Sequence, residues 1–152
     1  MLFRSEPMTL PQCPTLRRTL RVAVVTETWP PEINGVALTI RHMVTGLQQR
    51  GHHVQLVRPR QGTADSTARG EQLEEMLVRG VAIPRYSSLR FGLPAKRALR
   101  RRWTQQRPDV VHIVTEGPLG WSARNAALDL GIACSSDFHT NFHSYKIGRA
   151  HV

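Results

Sequence analysis

Apolar residues come in short bursts along this chain, and the spacing inside each burst changes in a regular way. Leu20–Val25 (LRVAVV) is an unbroken β-branched run, the pattern of a strand buried on both faces. Thr26–Gly35 follows as a loop, because Pro30 and Pro31 cannot continue a central strand and Asn34-Gly35 is turn chemistry. From Val36 the apolar positions fall at Val36, Ile40, Met43, Val44 and Leu47, one stripe of a helix, with Gly51 placed as a left-handed cap. Val54–Val57 reads as a second strand, Pro59–Gly70 as a loop, Glu71–Val78 as a short helix and Val81–Pro84 as a third strand. Ser87–Pro94 reads as irregular, and Ala95, Leu99 and Trp103 at i, i+4, i+8 predict a helix. Val110–Val114 is a fourth strand. Gly117-Pro118 opens a helix with the stripe Leu119, Ala123, Ala126, Ala127 and Leu130, Gly131 ends it, and Ile132–Ser135 is a fifth strand. Strands separated by helices or long crossovers imply an α/β fold, a Rossmann-like, doubly wound parallel sheet.

Composition narrows the setting. The 152 residues are 40% hydrophobic, enough for one core. No apolar stretch approaches the ~20 residues of a membrane span, and the first residues lack the apolar region of a secretory signal, so a cytoplasmic location is expected. Residues 1–20, Pro-containing and without period, predict a disordered leader, with Met8 as an alternative start. Cys13 and Cys134 form no disulfide framework and no zinc spacing, and are expected as free thiols. The formal net charge is +10, from 21 Lys and Arg against 11 Asp and Glu. Lys96, Arg97, Arg100, Arg101, Arg102 and Arg107 crowd one segment, either a solvated helix face or a patch for phosphates or an anionic leaflet.

In a doubly wound sheet the carboxyl ends of the strands form the ligand-binding rim. Here that rim would carry Glu27–Gly35, Thr115–Pro118 and Asp137–Tyr145. The first turn is no GxGxxG fingerprint, which argues against the usual dinucleotide site. Gly35 at the start of a helix offers backbone N–H groups and a dipole to an anion such as a diphosphate, or is simply a turn residue beside Asn34. His139 and His143 stand one helical turn apart, but with no Glu between them as in HExxH and no third ligand no metal is assigned. His112, within a strand, reads as a satisfied core residue. Glu116 and Asp137 share the rim and form a weak acid/base pair for a hydrolase.

Three segments, Thr26–Pro59 (TETWPPEINGVALTIRHMVTGLQQRGHHVQLVRP), Pro108–Ile132 (PDVVHIVTEGPLGWSARNAALDLGI) and Ser135–Tyr145 (SSDFHTNFHSY), resemble in order and spacing the N-terminal domain of retaining GT-B glycosyltransferases of family four. Within it, they are most similar to bacterial GDP-mannose-dependent α-mannosyltransferases acting on lipid or glycolipid acceptors. The resemblance spans residues 21–145 and implies a Rossmann-like acceptor-side half of a GT-B fold, incomplete here. It implies transfer with retention from a nucleotide sugar such as GDP-mannose to a lipid or glycan acceptor, with no cofactor and no metal required.

By motif, His139 would be the catalytic histidine that contacts the sugar and supports developing positive charge. Asn34, Gly35 and Val36 would approach the donor diphosphate, and Glu116, Gly117, Pro118 and Asn141 would line the acceptor side. Asn34-Gly35 stands where many relatives have Gly-Gly. Lys96, Arg97, Arg100, Arg101 and Arg102 resemble the basic segment with which lipid-using members touch anionic membranes, which implies a peripheral position at the inner face of the plasma membrane. The family's second domain would supply an Arg/Lys pair and a two-Glu motif for the donor, so these 152 residues alone are expected to be inactive and to expose a hydrophobic edge. Ile147–Val152 (IGRAHV) is what a common sequencing adapter encodes, so residues 146–152 are expected to be a non-native tail, the alternative being a genuine short one.

Two other readings stay in view. One is a stand-alone phosphate-ligand or partner binding module without catalysis. The other is a nucleic-acid binder built on Lys96–Arg107, which lacks interleaved aromatics beyond Trp103 and any recognition motif, so no nucleic-acid partner is expected.

Overall fold

In the computed structural model, which describes residues 18–32, 35–83 and 86–137, β1 (Arg21–Val25) is the middle of a five-stranded sheet. The chain continues through α1 (Gly35–Gln49), β2 (His53–Pro59), β3 (Leu73–Val78), β4 (Gly80–Ile83), β5 (Tyr86–Gly92), α2 (Lys96–Gln105), β6 (Val110–Ile113), α3 (Pro118–Asp129) and β7 (Ala133–Ser136). The sheet order is β3-β2-β1-β6-β7 and every pairing in it is parallel. The expected doubly wound sheet is therefore present.

Alternation along the central strands divides the core in two. Val22 and Val24 turn to one face, where Val54, Leu56 and Val114 meet Ile40 and Val44 of α1. Ala23 and Val25 turn to the other with Val57, Val111 and Ile113, under Leu99 and Trp103 of α2 and Leu119, Ala123, Ala126 and Ala127 of α3. The side of each helix follows from chain direction. The crossover β1-α1-β2 moves one way from the centre and β6-α3-β7 the other, so right-handed connections place α1 and α3 on opposite faces. Gly51 (φ 81°) and Gly131 (φ 62°) end α1 and α3 in the left-handed region, where an L side chain would be strained.

Three expectations are corrected. Glu71–Val78 does not wind: Leu73–Val78 is strand β3, paired with β2 from Val54↔Leu73 to Pro59↔Val78. Its Leu, Glu and Met residues favour a helix, but the free edge of β2 and three ion pairs override that preference. Glu74, on one face, meets Arg102 and Arg69, and Glu75, on the other, meets Arg58 at 3.1 Å. Second, the strand expected at Val81–Pro84 forms as β4 but lies outside the main sheet, whose fifth member is β3. Third, Ser87–Pro94 is not irregular over most of its length, because β5 pairs antiparallel with β4 in a separate two-stranded hairpin. The leader expected over residues 1–20 falls outside the described residues up to residue 17, while its last residues join the sheet: Leu20 accepts from His53 N at 2.9 Å.

Candidate functional site

The connection after β1 leads leftward to β2 and that after β6 rightward to β7, so the chain parts at the carboxyl ends of these two neighbouring strands. Such a topological switch point opens a crevice in the rim, and the described loop residues that flank it here are 26–32 and 114–117. Two helices begin at this crevice, α1 at Gly35 and α3 at Pro118, each with no acidic residue in its own first turn.

The two helix starts differ in what fills them. At α3 the filling comes from Glu27, two residues past β1 and buried to 5% exposure. Its Oε1 accepts from Leu119 N at 3.1 Å and its Oε2 from Gly92 N at 3.3 Å. Its own N–H donates to Thr115 Oγ1 at 2.9 Å, tying the two crevice loops together. Burial pushes the Glu27 carboxyl up to about 7, against the opposing pull of the amides of Leu119, Gly92 and Gly120. Two glycines make room. A Cβ on Gly117 would lie 1.8 Å from Glu27 Oε1, and one on Gly120 would lie 2.2 Å from the Thr115 carbonyl oxygen.

At α1 the start is open. Gly35 is exposed, its φ is not in the left-handed region, and among the described residues no atom lies within 4 Å of where a Cβ would sit. Nothing described in the fold requires glycine there. Val36, the next residue, is half-buried and packs against the α1-side core.

Further side chains pin the rim. Arg58, at the end of β2 and 5% exposed, holds Asp65 in a bidentate pair (2.6 and 2.9 Å) and Glu75 at 3.1 Å. The Arg58 guanidinium draws the Asp65 carboxyl down to about 2. Gln61 Nε2 donates to Glu32 Oε1 at 3.0 Å, joining the β2–β3 loop to the loop after β1, which contains a cis Pro30-Pro31 bond. At the far side His112 Nδ1 lies 3.0 Å from Ser135 Oγ, and Nε2 lies 3.2 Å from Asp137 Oδ2. His112 is thus half-buried at the rim rather than within the core.

Of the residues expected at the site, Gly35, Val36, Glu116, Gly117 and Pro118 fall on the two loops and helix starts of the switch point. Asn34, His139 and Asn141 lie outside the described residues. Glu116 is exposed, and Asp137 faces His112. Glu27 and Gly120 were not singled out, since a lone Glu in a polar loop carries no sign of burial; a glycine pair three apart at a helix start, Gly117 and Gly120, was the available clue.

The basic helix divides into two sets. Lys96 and Arg100 reach Asp129 at 2.9 and 3.6 Å, and Arg102 pairs with Glu74. Arg97 and Arg101, one turn apart and exposed, have no ion-pair partner among the described residues. A hollow of about 230 Å³ lies at the opposite, amino edge of the sheet, lined by Arg21, His53, Arg69, Glu74 and Gln106 among others. The rim is the better candidate, because the strand topology opens there and two helix N-termini face it.

Comparison with known proteins agrees with this geometry. Residues 33–151 match the family Glycosyltransferase Family 4. A GDP-mannose-dependent alpha-mannosyltransferase of Mycolicibacterium smegmatis is 30% identical over 145 residues, 86% of this chain and 36% of the relative. Its namesake in Mycobacterium tuberculosis is 30% identical over 130 residues, 80% and 32% of the two chains. An alpha-monoglucosyldiacylglycerol synthase of Streptococcus pneumoniae is 26% identical over 126 residues, 83% and 28%. The chain spans about a third of the length of these curated relatives. With its parallel sheet, its switch-point crevice and a match over most of its length, the chain belongs to glycosyltransferase family 4.

Proposed function

We propose that this chain is the acceptor-side half of a retaining glycosyltransferase that moves mannose from GDP-mannose to a lipid or glycan acceptor. The observation that carries the reading is Gly35. It begins α1 at the switch point, it is exposed, and neither its backbone angle nor a described neighbour calls for glycine. A ligand that must approach the backbone does call for it, and a helix N-terminus without an acid of its own favours a diphosphate. In this reading Asn34, Gly35 and Val36 hold the donor diphosphate, and Glu116, Gly117, Pro118 and Asn141 border the acceptor. His139 touches the sugar and supports charge at the reacting carbon. Support for mannose and for a lipid acceptor comes from the names of the relatives.

The remaining donor contacts belong to the two thirds of the relatives' length that this chain does not span, so the 152 residues alone transfer no sugar. The acceptor lies at an anionic membrane, met by the outward stripe of Arg97 and Arg101 on α2.

Adding pyrophosphate or GDP-mannose to the ¹⁵N-labelled chain tests the central point. Amide shifts that begin at Gly35 and Val36 are expected; shifts confined to α2 or to the amino edge of the sheet would defeat the reading. A hybrid of residues 21–137 with the rest of the Mycolicibacterium relative should transfer mannose where the chain alone does not.

A further inference from the structure

We propose that Glu27 is a positioning residue for the crevice, an internal carboxyl group that sits where a bound anion would and fixes α3, its loop and the β4–β5 hairpin around the switch point. Three separate observations meet at this side chain. Its two oxygens are both occupied, one by the N-terminus of α3 and one by Gly92 at the end of the hairpin. Its backbone N–H holds Thr115, at the head of the loop that carries Glu116, Gly117 and Pro118. The space it fills exists because residue 117 has no side chain, a Cβ there falling 1.8 Å from Oε1.

A helix N-terminus attracts an anion through its unpaired amides and the positive end of its dipole. At α3 the Glu27 carboxyl group takes up an amide from within, so a ligand phosphate finds this helix start occupied. Glu27 also ties the end of β1 to two elements distant in sequence, the hairpin and α3. Moving it moves the acceptor-side wall. It is not a catalytic residue, because both its oxygens are satisfied by the protein and it is almost fully covered. Charged residues on the elements around it are Glu32 on its own loop, Arg58 at the end of β2, Arg79 and Arg90 on the hairpin side, Glu116 just before α3 and Arg124 in the middle of α3. Burial and backbone amides, rather than any of these, set its protonation.

The inference rests on the crevice for its bearing on transfer, but its test reads Glu27 directly, so it can fail while pyrophosphate still binds at Gly35. The amides of Gly92, Leu119 and Gly120 are followed by NMR from pH 5 to 9 in the wild-type chain and in E27Q. A common titration with a midpoint near 7 is expected in the first and none in the second. In E27A at pH 8, hydrogen exchange at these three amides should rise at least tenfold, and formate should reverse the rise where chloride of equal ionic strength does not. Amides that titrate separately, or that titrate alike in E27Q, would overturn the proposal. So would an E27A chain indifferent to formate; if E27A does not fold, the E27Q titration decides alone.

Discussion

Substituting Gly117 by Ala isolates the contact on which the α3 side of the crevice depends. The backbone at Gly117 has φ −117° and ψ −172°, extended and open to any residue, so the new methyl brings no backbone strain. Elsewhere such a change would stabilise by about 0.4–1 kcal/mol through the unfolded chain. Here the Cβ would stand 1.8 Å from Glu27 Oε1 and 2.2 Å from its Cδ. Relief of well over 1 Å is needed, and the carboxylate cannot give it while bonded to Leu119 N and Gly92 N at 3.1 and 3.3 Å. Overpacking of this kind costs ~1–3 kcal/mol, and losing the bonds to a carboxylate adds to it. We expect G117A to lose about 3 kcal/mol, roughly 6–12 °C in Tm for a chain of this size. In an E27A background the same methyl meets space, and its effect should fall to within about 0.5 kcal/mol of zero or turn favourable. Urea unfolding of the four proteins of this cycle, followed by Trp fluorescence and far-UV circular dichroism, gives the coupling. Equal losses in both backgrounds would refute the contact.

Three further outcomes follow from the same geometry. The Glu27 carboxyl is raised from 4.5 to about 7, so its neutral form is favoured in the fold; its contribution is full below pH 4.5 and lost as pH rises through 7, about 3 kcal/mol in all, and E27Q should flatten that slope in a pH series of urea melts. Asp65 has the opposite sign: held down to about 2 by Arg58, it contributes stability above pH 3.8 that disappears as pH falls through 2, and R58M, which strands Asp65 and the 5%-exposed Glu75 carboxylate, should cost about 3–5 kcal/mol at pH 7 in the same assay. R97Q/R101Q should weaken partition onto anionic vesicles by about 2 kcal/mol, roughly 30-fold, at low salt, with no change on neutral vesicles, whereas equal binding to both would remove the membrane role of α2.

How much of this was legible in the residues depends on whether a signal is local. Helices α1, α2 and α3 follow from 3.6-residue stripes that need no partner, and Ile40, Val44, Leu99, Trp103 and Ala123 are buried as those stripes require. The runs Val22–Val25 and Val54–Val57 are buried on both faces and could only be central strands. β3 reads as a helix in sequence because its period-2 signal lies in charges: Glu74 and Glu75 face opposite sides, and each makes sense as a strand residue only with Arg102 and Arg58 in place. The β4–β5 hairpin is hidden in sequence for a related reason, since its register jumps between Ala82 and Ile83 and blurs the alternation. The rim segments Thr26–Gly35 and Thr115–Pro118 were found from Gly and Pro following apolar runs, whereas Glu27 is defined by burial and by amides from residues 65 and 92 positions away.

The two helix starts at the switch point show why the internal carboxylate matters for ligand choice. By topology alone α1 and α3 are equivalent, each opening at the carboxyl end of one of two adjacent parallel strands. Without Glu27 the crevice would present two anion-seeking ends, and a phosphate could settle at either. Placing the Glu27 carboxyl group at α3 removes one choice and turns that side into a hydrogen-bonded wall beside Glu116 and Pro118. What is left open is Gly35, so under the proposed function a charged donor would be drawn to the α1 side and a less charged acceptor would meet the α3 side. The asymmetry is built from one Glu and one missing Cβ. If the role is correct, the E27A chain should bind pyrophosphate at both helix starts, with shifts at Leu119 and Gly120 as well as Gly35; a single site in E27A, unchanged from wild type, would show that the carboxylate does not direct the anion.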